Sequence, residues 1–125
     1  MALITTPLAT TVIGCGIKVH RALGPGLFES VYEPCLADEL QRAKIEFKRQ
    51  LSVPIRYGGR EISPAFRLDF LIEGELVVEL KSVEKLLPLH EKQVLTYLKL
   101  TDLHKGLLMN FNASLLKNGI KSVVR

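Results

Sequence analysis

Several features that would fix a chemistry at once are scarce in this chain. It has two cysteines, Cys15 and Cys35, and three histidines, His20, His90 and His104, all widely spaced. A zinc centre draws on closely spaced Cys and His, so these residues do not read as one. Both cysteines fall in apolar helical stretches and read as reduced core residues. Neither a G-x-x-x-x-G-K-[ST] phosphate loop nor a G-x-G-x-x-G dinucleotide fingerprint occurs. No apolar run approaches the ~20 residues of a membrane-crossing helix. Repeats, linkers and low-complexity tracts are missing, so the 125 residues read as one domain, 1–125.

Charge is also unremarkable in total. Lys and Arg number 17 against 13 Asp and Glu, a net of +4. Such mild basicity suits a polyanionic partner and equally an ordinary basic protein. No basic run forms a nucleic-acid-binding tail; the densest patch is Lys44 to Arg49. The first seventeen residues carry no charged side chain. No Lys or Arg precedes this apolar stretch, and Pro7 interrupts it, which argues against a signal peptide. Thr6 as cap and Pro7 at the first position instead start an amphipathic helix bearing Val12, Ile13, Ile17, His20 and Leu23. A cytoplasmic protein without a membrane segment is the expectation.

What is present is a hydrophobic content of 47%, which excludes disorder, and a clear alternation in the middle of the chain. In residues 66–72 the apolar positions Phe66, Leu68, Phe70 and Ile72 share one strand face, leaving Arg67, Asp69 and Leu71 on the other. In residues 75–83, Leu76, Val78 and Leu80 share one face; Val77, Glu79 and Lys81 share the other. Glu73-Gly74-Glu75 makes a three-residue hairpin loop. Keeping both apolar faces on one side pairs Ile72 with Leu76, Phe70 with Val78 and Leu68 with Leu80. Asp69 then faces Glu79, and Lys81 lies two residues along. Facing carboxylates are costly without a cation between them, so the pair predicts a divalent-metal site, and a lysine beside it suits phosphate chemistry. The alternative is a solvated polar sheet face, with Lys81 merely neutralising Glu79.

Further elements follow the same logic. Helices are expected at 7–22, 28–43 and 89–101, and strands at 46–56, 66–72, 75–83 and 105–111, with a last strand from about Ile120. The second helix should bury Val31, Leu36, Leu40 and Cys35 despite Pro34. In the third, Val94, Leu95 and Leu98 form an apolar stripe, while Gln93 and Tyr97, one turn apart, put neutral hydrogen-bonding groups on one face. This order predicts an α/β fold, a mixed central β-sheet flanked by helices.

Asp69, Glu79-x-Lys81 and Gln93-x-x-x-Tyr97 together resemble the PD-(D/E)XK nuclease superfamily, in its recombination-exonuclease-like branch. Gly26-Leu27-Phe28-Glu29-Ser30-Val31-Tyr32 resembles the signature of the GxxExxY family, with Val19 to Pro25 and Gly106 to Phe111 as supporting text. The resemblance spans nearly the whole chain and implies a restriction-endonuclease-like core. It implies that Asp69, Glu79 and the Leu80 backbone carbonyl hold Mg2+ or Mn2+, supported by Glu29. It implies that Lys81 positions or activates the attacking water and that Gln93 and Tyr97 brace the site. Leu68 stands where the motif has proline, and Ser122 where an arginine is expected, with Lys117, Lys121 and Arg125 as substitutes. Tyr32, Arg67 and His90 are candidates for supporting roles: Tyr32 in the core, Arg67 paired with Asp69 or meeting a phosphate, His90 solvated or behind the site.

The expectation is a metal-dependent nuclease acting on DNA or RNA. The alternative is a non-catalytic nucleic-acid-binding or oligomeric module, a homodimer included, on the same scaffold.

Overall fold

A computed structural model describes residues 6–125, with the backbone alone at 64 and 65. Helix α1, Pro7–Leu23, starts as its cap residues demand: Thr6 Oγ1 accepts the Ala9 N–H at 3.2 Å, and Pro7 opens the first turn. Helix α2, Glu29–Arg42, runs on through Pro34. Strands β1, Phe47–Tyr57, and β2, Arg60–Ile72, form a long hairpin about Gly58-Gly59. Strand β3 is Leu76–Lys81, helix α3 is Pro88–Thr101, and strand β4 is Lys105–Asn110. A 3-10 turn at Leu116–Gly119 leads into strand β5, Ile120–Val124.

The sheet order is β1-β2-β3-β4-β5. Only β3 and β4 are parallel, because α3 carries the chain across between them; the other pairings are antiparallel. This is the mixed, helix-flanked sheet expected from the sequence.

Each face of the sheet buries its own core. Helices α1 and α2 cover one through Val12, Val19, Leu36 and Leu40, against Phe70, Ile72, Val78, Leu80 and Leu107. Helix α3 covers the other with Val94 and Leu98, against Val77, Leu108 and Val123. The approach of α3 is close at Gly106, where a Cβ would stand 2.7 Å from Val94 Cγ1. The face bearing Glu79, which the alternative reading left to solvent, is therefore roofed at its centre, and Val77 is fully buried.

Three local expectations change. Val31 is 38% exposed, because the buried line of α2 runs through Tyr32, Leu36 and Leu40, with Ala37 beside it. Leu23, at the end of α1, is exposed as well. Phe66 and Leu68 do not share a core with Phe70; they join the α3 cluster, and the Phe66 ring stacks on Tyr97 at 4.6 Å. The change of side coincides with Gln50 opposite Asp69, whose φ of 48° interrupts the extended backbone.

The corner between α1 and α2 is tied by one side chain. Gly26, with φ 97°, takes a conformation that side chains with a Cβ rarely adopt. Tyr32 is fully buried and stacks on Phe111 at 4.6 Å. Its hydroxyl donates to the Gly24 carbonyl at 2.6 Å and accepts the Leu27 N–H at 3.1 Å. Tyr32→Phe keeps the ring and strands both backbone groups. Urea unfolding should show a loss of about 1–2 kcal/mol with an unchanged m-value; an unaltered midpoint would show that water replaces the hydroxyl without cost.

Candidate active site

The β2–β3 ladder runs Ile72–Leu76, Leu71–Val77, Phe70–Val78 and then stops. Continuing its register sets Asp69 across from Glu79, as the alternation predicts, but the expected Leu68–Leu80 pair does not follow. Side chains take over from the backbone at that point. The Leu80 N–H donates to Asp69 Oδ2 at 2.8 Å, and the Asp69 N–H donates to Glu79 Oε1 at 3.3 Å. The two strands part here, and the carboxylates bridge the parting.

A cleft of about 420 Å3 opens at this point, with Glu79, Asp69, Leu80 and Lys81 in its floor. Tyr97 walls it from α3, and Glu29, Ser30 and Glu33 wall it from α2. Arg67 and Gln50 enter from the β1–β2 side. The structure thus gathers Glu29, Asp69, Glu79, Leu80, Lys81, Arg67 and Tyr97 into one place. Gln93, one turn before Tyr97, is exposed and outside the lining. His90 is also outside it: Nδ1 accepts the Leu87 N–H at 2.9 Å, so the ring caps the start of α3. Tyr32 serves the corner described above.

Three lining residues, Ser30, Glu33 and Gln50, are not among those expected in the site. Glu33 lies one turn after Glu29, a spacing that puts both acids on one helix face and could have marked it. It holds Arg49 at 2.9 Å and accepts a hydrogen bond from Gln50 Nε2. Gln50 Nε2 also donates to Asp69 Oδ1 at 3.3 Å, linking α2 to the acid pair. No sequence signal points to Gln50; its unusual φ brings it in. Asn110, quoted only as part of a motif, braces the chain leaving β3. Its Oδ1 accepts the Val83 N–H at 3.1 Å and its Nδ2 donates to the Val83 carbonyl at 2.9 Å. The Phe111 N–H donates to the Lys81 carbonyl at 2.8 Å.

The expected substitutes for a C-terminal arginine are partly committed elsewhere. Lys121 pairs with Glu91 at 3.3 Å and Arg125 with Asp102 at 3.0 Å. Ser122 is buried in β5, across from Leu107.

Electrostatics mark the acid pair. Glu79 is only 6% exposed, and its pKa is pushed up to about 9, by burial first and by the negative charge of Asp69 second. Lys81 pulls in the opposite direction more weakly. At neutral pH without a cation, Glu79 therefore keeps its proton. The Tyr97 phenol is raised too, by burial and then by Glu79 and Asp69, so it stays a hydrogen-bond donor.

The donor set fits a hard cation. It offers carboxylate oxygens with backbone oxygen nearby and no sulfur or imidazole. Among the described residues no three His, Cys, Asp or Glu side chains close around one point, so water or substrate would complete the coordination.

With this geometry in view, comparison with known proteins is direct. A family model described as the PD-(D/E)XK nuclease superfamily matches residues 6–123. The chain belongs to that superfamily, whose members generally use divalent metals. No curated protein and no solved structure matches it. Among the described residues no helix is long and apolar enough to cross a membrane.

The raised pKa of Glu79 sets a pH dependence opposite to that of an ordinary ion-paired carboxylate. Between about pH 4.5 and about pH 9 the folded chain holds a proton that the unfolded chain has released. Stability must therefore fall as pH rises through that window. In EDTA the thermal midpoint of the wild type should decline across it, and Glu79→Gln should flatten the decline. A wild-type midpoint rising over the same range would contradict the buried, proton-bearing Glu79.

Proposed function

We propose that this chain is a divalent-metal-dependent nuclease that hydrolyses phosphodiester bonds of DNA or RNA in the cytoplasm. Its short motifs support placement in the GxxExxY family and the recombination-exonuclease-like branch. The observation that carries the reading is a buried carboxyl, Glu79, set against Asp69 beside Lys81 at the floor of an open cleft.

Asp69, Glu79 and the Leu80 carbonyl would hold Mg2+ or Mn2+, with Glu29 approaching from α2. When bound, the ion supplies positive charge against the attacked phosphate and acidifies water. The chain supplies the rest. Lys81 has no carboxylate within ion-pair distance among the described residues, so its ammonium is available to orient the attacking water and to meet negative charge growing on the phosphate. Tyr97, kept protonated by burial first and by Glu79 and Asp69 after it, donates a hydrogen bond into the same space. Arg67 is exposed at the rim and meets a neighbouring phosphate. Gln50 and Glu33 keep Asp69 oriented.

Purified protein should cleave single-stranded DNA, duplex DNA or RNA with Mg2+ or Mn2+ and not with EDTA. Lys81→Ala should lower kcat by about a hundredfold or more while the fold is retained, since the lysine acts in the transition state. Equal cleavage by Lys81→Ala would remove the lysine from the mechanism. A wild type that binds these nucleic acids and cleaves none of them would favour the non-catalytic binding module.

A further inference from the structure

Phe28 is 81% exposed, beside Leu23, Leu27 and Val31 at 38% each. The ring stands on a hydrogen-bonded turn. The Phe28 carbonyl accepts the Val31 and Tyr32 N–H groups at 2.9 and 3.4 Å. The neighbouring Leu27 is held at both ends, its N–H by the Tyr32 hydroxyl and its carbonyl by Ser82 Oγ. Ser82 follows Lys81, and Phe28 precedes Glu29; both Lys81 and Glu29 line the cleft. Phe28 is outside the cleft lining but borders it, covalently at Glu29 and, through the Leu27–Ser82 hydrogen bond, next to Lys81.

Charge decides what this rim can offer a nucleic acid. The ionisable side chains that α2 presents to the cleft, Glu29 and Glu33, are both acids, Glu33 already paired with Arg49, so α2 offers a phosphate no free cation. The cations of the lining, Arg67 and Lys81, lie on the strand side together with the acid pair Asp69 and Glu79. A strand whose phosphate lies over the floor would thus have its backbone drawn toward the strands, with α2 facing its bases. A neutral aromatic ring is suited to that side, because every base has a face that stacks.

Resting on the nuclease reading above, we propose that Phe28 is a stacking platform for an unpaired base flanking the phosphate in the cleft. It selects single strands or frayed ends. Bases within a duplex are already stacked on both faces and have none to give.

Binding without cleavage tests this. Fluorescence anisotropy in Ca2+ would compare a short labelled oligothymidylate with an abasic strand of equal length and charge, and with a duplex. The wild type should prefer oligothymidylate to both. Phe28→Ala should weaken oligothymidylate about 5- to 150-fold, the range expected for one lost stack, and leave the abasic strand unchanged. Phe28→Trp should restore the preference. Equal loss on oligothymidylate and abasic strands, or no loss on either, would overturn the proposal while leaving the nuclease reading in place. A Phe28→Ala change from dimer to monomer by light scattering would overturn it too, by assigning the ring to a second copy. A wild type that binds no strand in Ca2+ would sink the nuclease reading and this inference with it.

Discussion

The parting of β2 from β3 at Asp69 and Glu79 is the constraint on which the rest depends. Two strands that separate leave backbone donors without partners, and these must be met. Here they are met by the two carboxylates, each accepting an N–H from the opposite strand. The same bonds hold the acids in place and hold them close. Closeness under α3 removes water and pushes Glu79 toward its neutral form. A proton relieves that situation in the free protein; in the proposed nuclease a divalent ion would displace it. Structure and chemistry thus share one pair of side chains.

The surrounding braces make sense from that point outward. Asn110 and Phe111 hold the chain at and beyond Lys81 from β4. Gln50 and Glu33 connect Asp69 to α2. The Phe66–Tyr97 stack packs α3 against the β1–β2 ribbon and keeps the phenol at the cleft wall. Tyr32 ties the α1–α2 corner, from which Glu29 enters the cleft. The contacts of Asn110, Gln50 and Phe66 join elements distant in sequence, and those of Tyr32 are local.

How much of this was legible in the sequence follows from the range of each signal. Period-two alternation is local, so it placed the hairpin and brought Asp69 opposite Glu79. Caps are local too, and Thr6 with Pro7 marked the start of α1 correctly. The resemblance, not periodicity, led to Glu29. Glu33 carried a usable signal in its four-residue spacing from Glu29. Gln50 carried none, since a positive φ in a non-glycine strand residue is imposed by tertiary context and leaves no local pattern. Beside it, Phe66 and Leu68 join the α3 side, against a reading that carried one alternation through residues 66–72. The burial of Glu79 was likewise out of reach, because strand alternation does not reveal whether a helix roofs the polar face.

The most direct test of the acid pair as a cation site is calorimetric titration of Mn2+ into the protein near neutral pH, in buffers of different ionisation enthalpy. The wild type should bind one ion and release about one proton, because Glu79 holds a proton until the ion displaces it. Asp69→Asn combined with Glu79→Gln should bind far more weakly and release none. Equal affinity in the two proteins, or binding by the wild type without proton release, would contradict the account.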